Sequence, residues 1–146
     1  MDEFQVLLQK FDRQPETQFM APKGKVLVID DDPNIRQGLE RTLTHRNYEV
    51  CITTNGKDGL DRINEDIHVV LLDVKLPRVD GTQVYTLLKE KCPNIPIIFY
   101  SAYPGNDDVA DKCRDLGPYA FIEKGVYEEI DRLYDLIDKA VSKRVS

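Results

Sequence analysis

Four apolar runs in this chain stop on a polar group. "KVLVID" ends in Asp30, with Asp31 and Asp32 directly after it, and "HVVLLD" ends in Asp73. "IPIIFYS" stops on the Ser101 hydroxyl, and "YAFIEK" on Glu123 and Lys124. An unpaired carboxylate at the mouth of an apolar core is costly, so such endings call for partners. Carboxylates gathered on one rim repel each other, and a cation must hold them at neutral pH. An oxygen-only ligand set suits a hard divalent ion. Mg²⁺ fits it best, because a few carboxylates plus water and phosphate oxygens satisfy it. A hydroxyl and an ammonium group opposite that ion are what a phosphoryl group needs for its remaining oxygens. Each residue is a weak signal, and the set is a specific one.

The elements that must bring these groups together follow from the spacing of the apolar residues. The strands read as 25–30, 68–73, 95–101 and 119–124, with a weaker fifth at 48–53, "YEVCIT". The clear runs show no in–out alternation, as strands covered on both faces require. Between them lie segments of helical period: Ile35, Leu39 and Leu43; Leu60 and Ile63; Val84, Leu87 and Leu88; Val109, Cys113 and Leu116. The last and clearest carries Ile130, Leu133, Ile137, Ala140 and Val141. Asp32-Pro33 supplies an N-cap and a proline for the first helical turn. Five alternations of strand and helix mean an α/β fold, a parallel sheet with helices on both faces. Ligands in such a sheet bind beyond the carboxyl ends of the strands, where the polar residues fall.

Composition narrows the function. The 146 residues suffice for one core, and the balance of 41% hydrophobic with 32% charged residues is that of a globular protein. A net charge of −6 argues against unspecific phosphate-backbone binding, so no direct nucleic-acid contact is expected. No apolar run reaches the length of a membrane span, and the start "MDEFQVLLQKFDRQ" has no basic leader region. Cys51, Cys92 and Cys113 are odd in number and widely spaced, which fits reduced thiols in a cytoplasmic protein. Residues 1–24 stand apart as an extension, with Phe4, Leu7, Leu8 and Phe11 at helical spacing before a linker. That segment is either a tail lying on the domain or a partner-binding element. The domain proper is 25–146.

"VLVIDDDPNIR", "VVLLDVKLPRVDG", "IIFYSAY" and "FIEKG", in this order and spacing, make residues 25–143 resemble a CheY-like response-regulator receiver domain of two-component signalling. The resemblance implies a flavodoxin-like (βα)5 fold with strand order 2-1-3-4-5. It implies a switch that takes a phosphoryl group onto Asp73 from a sensor histidine kinase or a histidine phosphotransfer protein. Asp31, Asp73 and the main-chain carbonyl of Lys75 would ligate Mg²⁺, with Asp30 acting through bound water. Lys124 would pair with the phosphoryl group, Ser101 would be the switch hydroxyl and Phe121 the switch aromatic. The signal would leave by the face of the fourth helix, fifth strand and fifth helix. The only chemistry would be phosphorylation and dephosphorylation of the protein itself, by a monomer or weak dimer.

Two features depart from the family pattern. The usual Lys-Pro step is here Lys124-Gly125, so that loop is expected to be built differently. Lys75 and Tyr103, each two residues past a site residue, are bulky at the mouth through which hydrolytic water must come. Asp32 reads as a helix cap only, Asp80-Gly81 as a turn and helix start, and His45 and His68 as surface or structural residues. A rival reading takes "DDDPN" as the Asp-x-Asp of a haloacid-dehalogenase-type phosphatase, with Asp30 as nucleophile and Asp32 as acid. Pro33, and the lack of an acidic pair closing a strand after Lys124, speak against it. A receiver that has lost its need for phosphate is a third reading, kept open by Gly125. After the last helix only "SKRVS" remains, which fits either a single-domain regulator or the receiver of a larger one.

Overall fold

The computed structural model describes residues 21–102 and 108–145, together with Glu3. The expectations for the apolar stripe from Phe4 to Phe11 and for Tyr103 lie outside the described residues. Among the described residues from 21 onward, five strands and five helices alternate: β1 (Lys25–Ile29), α1 (Pro33–His45), β2 (Glu49–Thr53), α2 (Gly56–Arg62), β3 (Val69–Leu72), α3 (Gly81–Lys91), β4 (Ile97–Ser101), α4 (Asp108–Asp115), β5 (Ala120–Glu123) and α5 (Tyr127–Val145). All four strand pairings are parallel and the order is β2-β1-β3-β4-β5, as expected.

Side chains of a strand alternate between faces, so an unbroken apolar run must feed two cores. Val26, Val28, Val69, Leu71, Ile98 and Ile122 join Leu39 and Leu43 of α1 and Leu133 and Ile137 of α5 on one side. Leu27, Ile29, Val70, Leu72, Ile97 and Phe99 join Val84 and Leu88 of α3 and Cys113 of α4 on the other. The weak signal of β2 has its cause in its place at the sheet edge, where Val50, Cys51 and Ile52 are only half-buried.

Local chemistry starts the helices as the sequence suggests. Asp32 caps α1 by accepting the Asn34 N–H, with Pro33 next, and Asp80 caps α3 by accepting the N–H groups of Thr82 and Gln83. Gly81 is needed for a close approach: a Cβ there would stand 2.8 Å from the Asp73 carbonyl oxygen. Its N–H donates to the Val74 carbonyl, and Lys75 bridges back to Asp80, so the loop after β3 is tied down at both ends. His68 has a structural role, since its Nδ1 accepts the Lys25 N–H at the start of β1. Two stripe residues are displaced. Leu87 is 42% exposed because the buried face of α3 runs through Val84, Tyr85 and Leu88, and Leu116 falls beyond the end of α4.

Candidate functional site

The ends of β1, β3 and β5 meet on one rim. Backbone bonding across the sheet continues one residue past these strands: Asp30 N–H donates to Thr53 O, Asp73 N–H to Ile29 O and Lys124 N–H to Ser101 O. Each of the three side chains therefore leaves from backbone already fixed by its neighbour strand. Asp30 and Asp73 are 2% and 7% exposed, Ser101 is fully buried, and Asp31 is exposed.

Lys124 Nζ lies 2.6 Å from an oxygen of Asp30 and 3.5 Å from one of Asp73, its side chain only 8% exposed. Asp30 is also held through its other oxygen, which accepts the Asp32 N–H, and through its carbonyl, which accepts from the Arg36 guanidinium. Burial pushes the Asp73 carboxyl up to about 6. Lys124 pulls against that shift, while the charges of Asp30 and Asp31 add to it. Burial works against the Lys124 ammonium as well. The hydrogen bond to Asp30 and the charges of Asp73 and Asp30 outweigh it and hold the group above its ordinary value. The site is thus short of positive charge on the Asp73 side, even with the lysine in place.

Asp30, Asp31 and Asp73 each offer an oxygen within 4.8 Å of the others, a donor set that fits a hard divalent ion. Lys75 sits two residues on, in the loop that folds back on Asp80. Ser101 closes β4 beside this rim, with its carbonyl bound to Lys124 N–H. Phe121 is half-buried on β5. It packs against Phe99 at 6.1 Å between ring centroids, under the Arg114 guanidinium at 4.1 Å. Asp32, the acid of the phosphatase reading, is exposed and is used as the cap of α1. The loop after Lys124 is built around Gly125 at φ +79°, a conformation closed to proline, whose ring fixes φ near −65°. Among the described residues no peptide bond is cis.

Sequence reasoning passed over three contributors. Thr53 is buried beside the rim, donating its hydroxyl to Val28 O, and Arg36 grips the Asp30 carbonyl. Tyr100 presents its ring to the Lys124 ammonium, 5.6 Å from the centroid. Only the spacing of Arg36, one turn into α1, carried a faint signal. Tyr100 reads as one more core residue in "IIFYS".

An open parallel sheet with an acidic pocket and a lysine at its switch-point rim defines an α/β domain whose ligand site lies beyond the carboxyl ends of the strands. Residues 26–138 match the response regulator receiver domain family, and the chain belongs to that family. It is a phosphorylation-dependent signalling module of the two-component type. It is 31% identical over 121 residues to the DNA-binding transcriptional regulator NtrC of Proteus hauseri, covering 82% of this chain and 25% of the relative. Among solved structures, a receiver domain protein from Clostridium thermocellum matches with TM-score 0.73 and 26% identity, over 83% of this chain and 96% of that one. The response regulator TrrA from Thermotoga maritima in complex with Mg²⁺-BeF matches with TM-score 0.67 and 26% identity, over 80% and 98%. The chain spans about a quarter of the NtrC and GlrR relatives, both of which are transcriptional regulators. The expected lack of nucleic-acid contact does not fit these relatives, one of which is a DNA-binding transcriptional regulator.

Among the described residues no helix is long and apolar enough to cross a membrane.

Proposed function

We propose that the domain takes a phosphoryl group onto Asp73 from the phosphohistidine of a sensor kinase or a phosphotransfer protein, in the cytoplasm and as a monomer or weak dimer. One observation carries the reading: a buried lysine bridges two buried carboxylates, with a third acid at the mouth. Asp73 is the nucleophile. Its carboxylate oxygen forms the new O–P bond as the N–P bond of the donor breaks, and the imidazole leaves with its electron pair and takes up a proton. The transfer is mainly a matter of positioning and charge, and the fixed backbone of Asp73 supplies the first. Lys124 turns from Asp73 to a phosphoryl oxygen while Asp30 keeps it over the site. Asp31, Asp73 and the Lys75 carbonyl would hold Mg²⁺, with Asp30 acting through bound water, and the ion would supply charge neutralisation for the transferring group.

Ser101 then moves toward the phosphoryl group, and Phe121 follows into the space released, altering the α4–β5–α5 face that meets the next protein. No other substrate is turned over. The test is intact-mass analysis after incubation with acetyl phosphate or phosphoramidate and Mg²⁺. One hydroxylamine-labile phosphoryl group is expected on the wild type and none on Asp73→Asn. Label that persists on the variant, or that maps to Asp30, overturns the reading.

A further inference from the structure

Lys124 has a neighbour that the transfer chemistry above does not use. On one side its ammonium meets the carboxylates of Asp30 and Asp73; 5.6 Å away lies the centroid of the Tyr100 ring. Tyr100 points into the layer shared with α1 and α5, where the neighbouring strand residues are Val28, Leu71, Ile98 and Ile122. An aliphatic side chain would fill that layer without bringing in a hydroxyl, which is costly to desolvate. Its residue is 9% exposed, so the ring is a fixed wall and not a swinging surface group. An ammonium within about 6 Å of an aromatic face is attracted to the ring quadrupole, more strongly where water is scarce. A lysine stem carries many rotamers, and its head must stay over the rim when Asp73 becomes an acyl phosphate.

We propose that Tyr100 is a positioning residue for Lys124: its ring holds the ammonium at the pocket while the lysine exchanges the Asp73 oxygen for a phosphoryl oxygen. The inference rests on the proposed phosphorylation of Asp73 and deepens it.

The experiment compares wild type, Tyr100→Phe, Tyr100→Leu and Tyr100→Met by two readouts. The first is the phosphorylation rate with acetyl phosphate and Mg²⁺, followed by intact mass. Tyr100→Phe keeps the ring and is expected to match the wild type. Tyr100→Leu and Tyr100→Met are expected to be about fivefold slower, the size of one partly buried cation–π contact. The second readout is the NMR shift of the Lys124 side-chain methylene protons in metal-free protein. The ring-current displacement should persist in Tyr100→Phe and vanish in the two aliphatic variants. Equal rates in all four proteins, or equal slowing of the phenylalanine and leucine variants, overturns the inference. So does a Lys124 shift that does not depend on the ring. If the wild type takes no phosphoryl group, the functional reading fails by itself, and the metal-free shift still decides what Tyr100 does.

Discussion

Asp30 and Asp31 are adjacent acids in one pocket, yet their removal should act in opposite directions. Crowding by itself says that losing either carboxylate relieves repulsion and stabilises the metal-free fold. The structure separates the two. Asp30 is 3% exposed in its side chain and stands 2.6 Å from the Lys124 ammonium, itself 8% exposed. Asp30→Asn keeps the shape but leaves that ammonium with Asp73 alone, at 3.5 Å. Removing one member of a buried pair typically costs about 3–5 kcal/mol when the other is left unpaired. Asp73 remains as a partner here, and its own repulsion from Asp30 is relieved. The expected loss is therefore smaller, about 1–2 kcal/mol. Asp31 is exposed, and its charge helps push the Asp73 carboxyl up, so Asp31→Asn should be neutral or stabilising by a few tenths of a kcal/mol. Urea unfolding at pH 7 with a chelator reads both. With a slope of about 2 kcal/mol per molar, Asp30→Asn lowers the midpoint by roughly 0.5–1 M at unchanged slope. An Asp30→Asn midpoint at or above that of the wild type, or an equal fall for Asp31→Asn, refutes the reasoning.

Three further outcomes follow from the same geometry. Asp73 has a folded-state pKa near 6 against an ordinary 3.8, so the folded chain binds that proton more tightly than the unfolded chain. Relative to Asp73→Asn, the wild type should therefore gain about 2 kcal/mol as pH falls from 7 to 4, read by paired urea titrations; a constant difference would show that the carboxyl titrates normally. Two glycines should answer in opposite senses to alanine in thermal melts. Gly38, in the middle of α1 with open space around it, gains about 1 kcal/mol; Gly125 at φ +79° loses about 1–2 kcal/mol. Lys75→Asn should shorten the life of the aspartyl phosphate, about tenfold if the side chain contributes 1.4 kcal/mol to the hydrolytic barrier. Decay equal to the wild type would mean that the Lys75 side chain does not contribute to that barrier.

Much of the molecule is legible in the chain alone, because local rules and burial pattern act on neighbours in sequence. Unbroken apolar runs such as 69–72 demand cover on both faces, and that demand sets a parallel sheet with two helical layers. The caps at Asp32 and Asp80 need only a residue and the two or three that follow it. The acids, hydroxyl and lysine at the strand ends are visible as types and positions, and the rim follows from the topology. Tertiary structure decided how those groups divide their work. The chain presents Asp30 and Asp31 as equals; the fold buries one against Lys124 and leaves the other in water, because adjacent residues leave a strand end in different directions. It made Leu87 a flank residue and Tyr100 a wall beside the lysine, since a side chain's neighbours depend on which strand or helix lies across from it. Asp73 owes its raised pKa to the same cause: desolvation is set by everything packed around the group, and most of that lies tens of residues away along the chain.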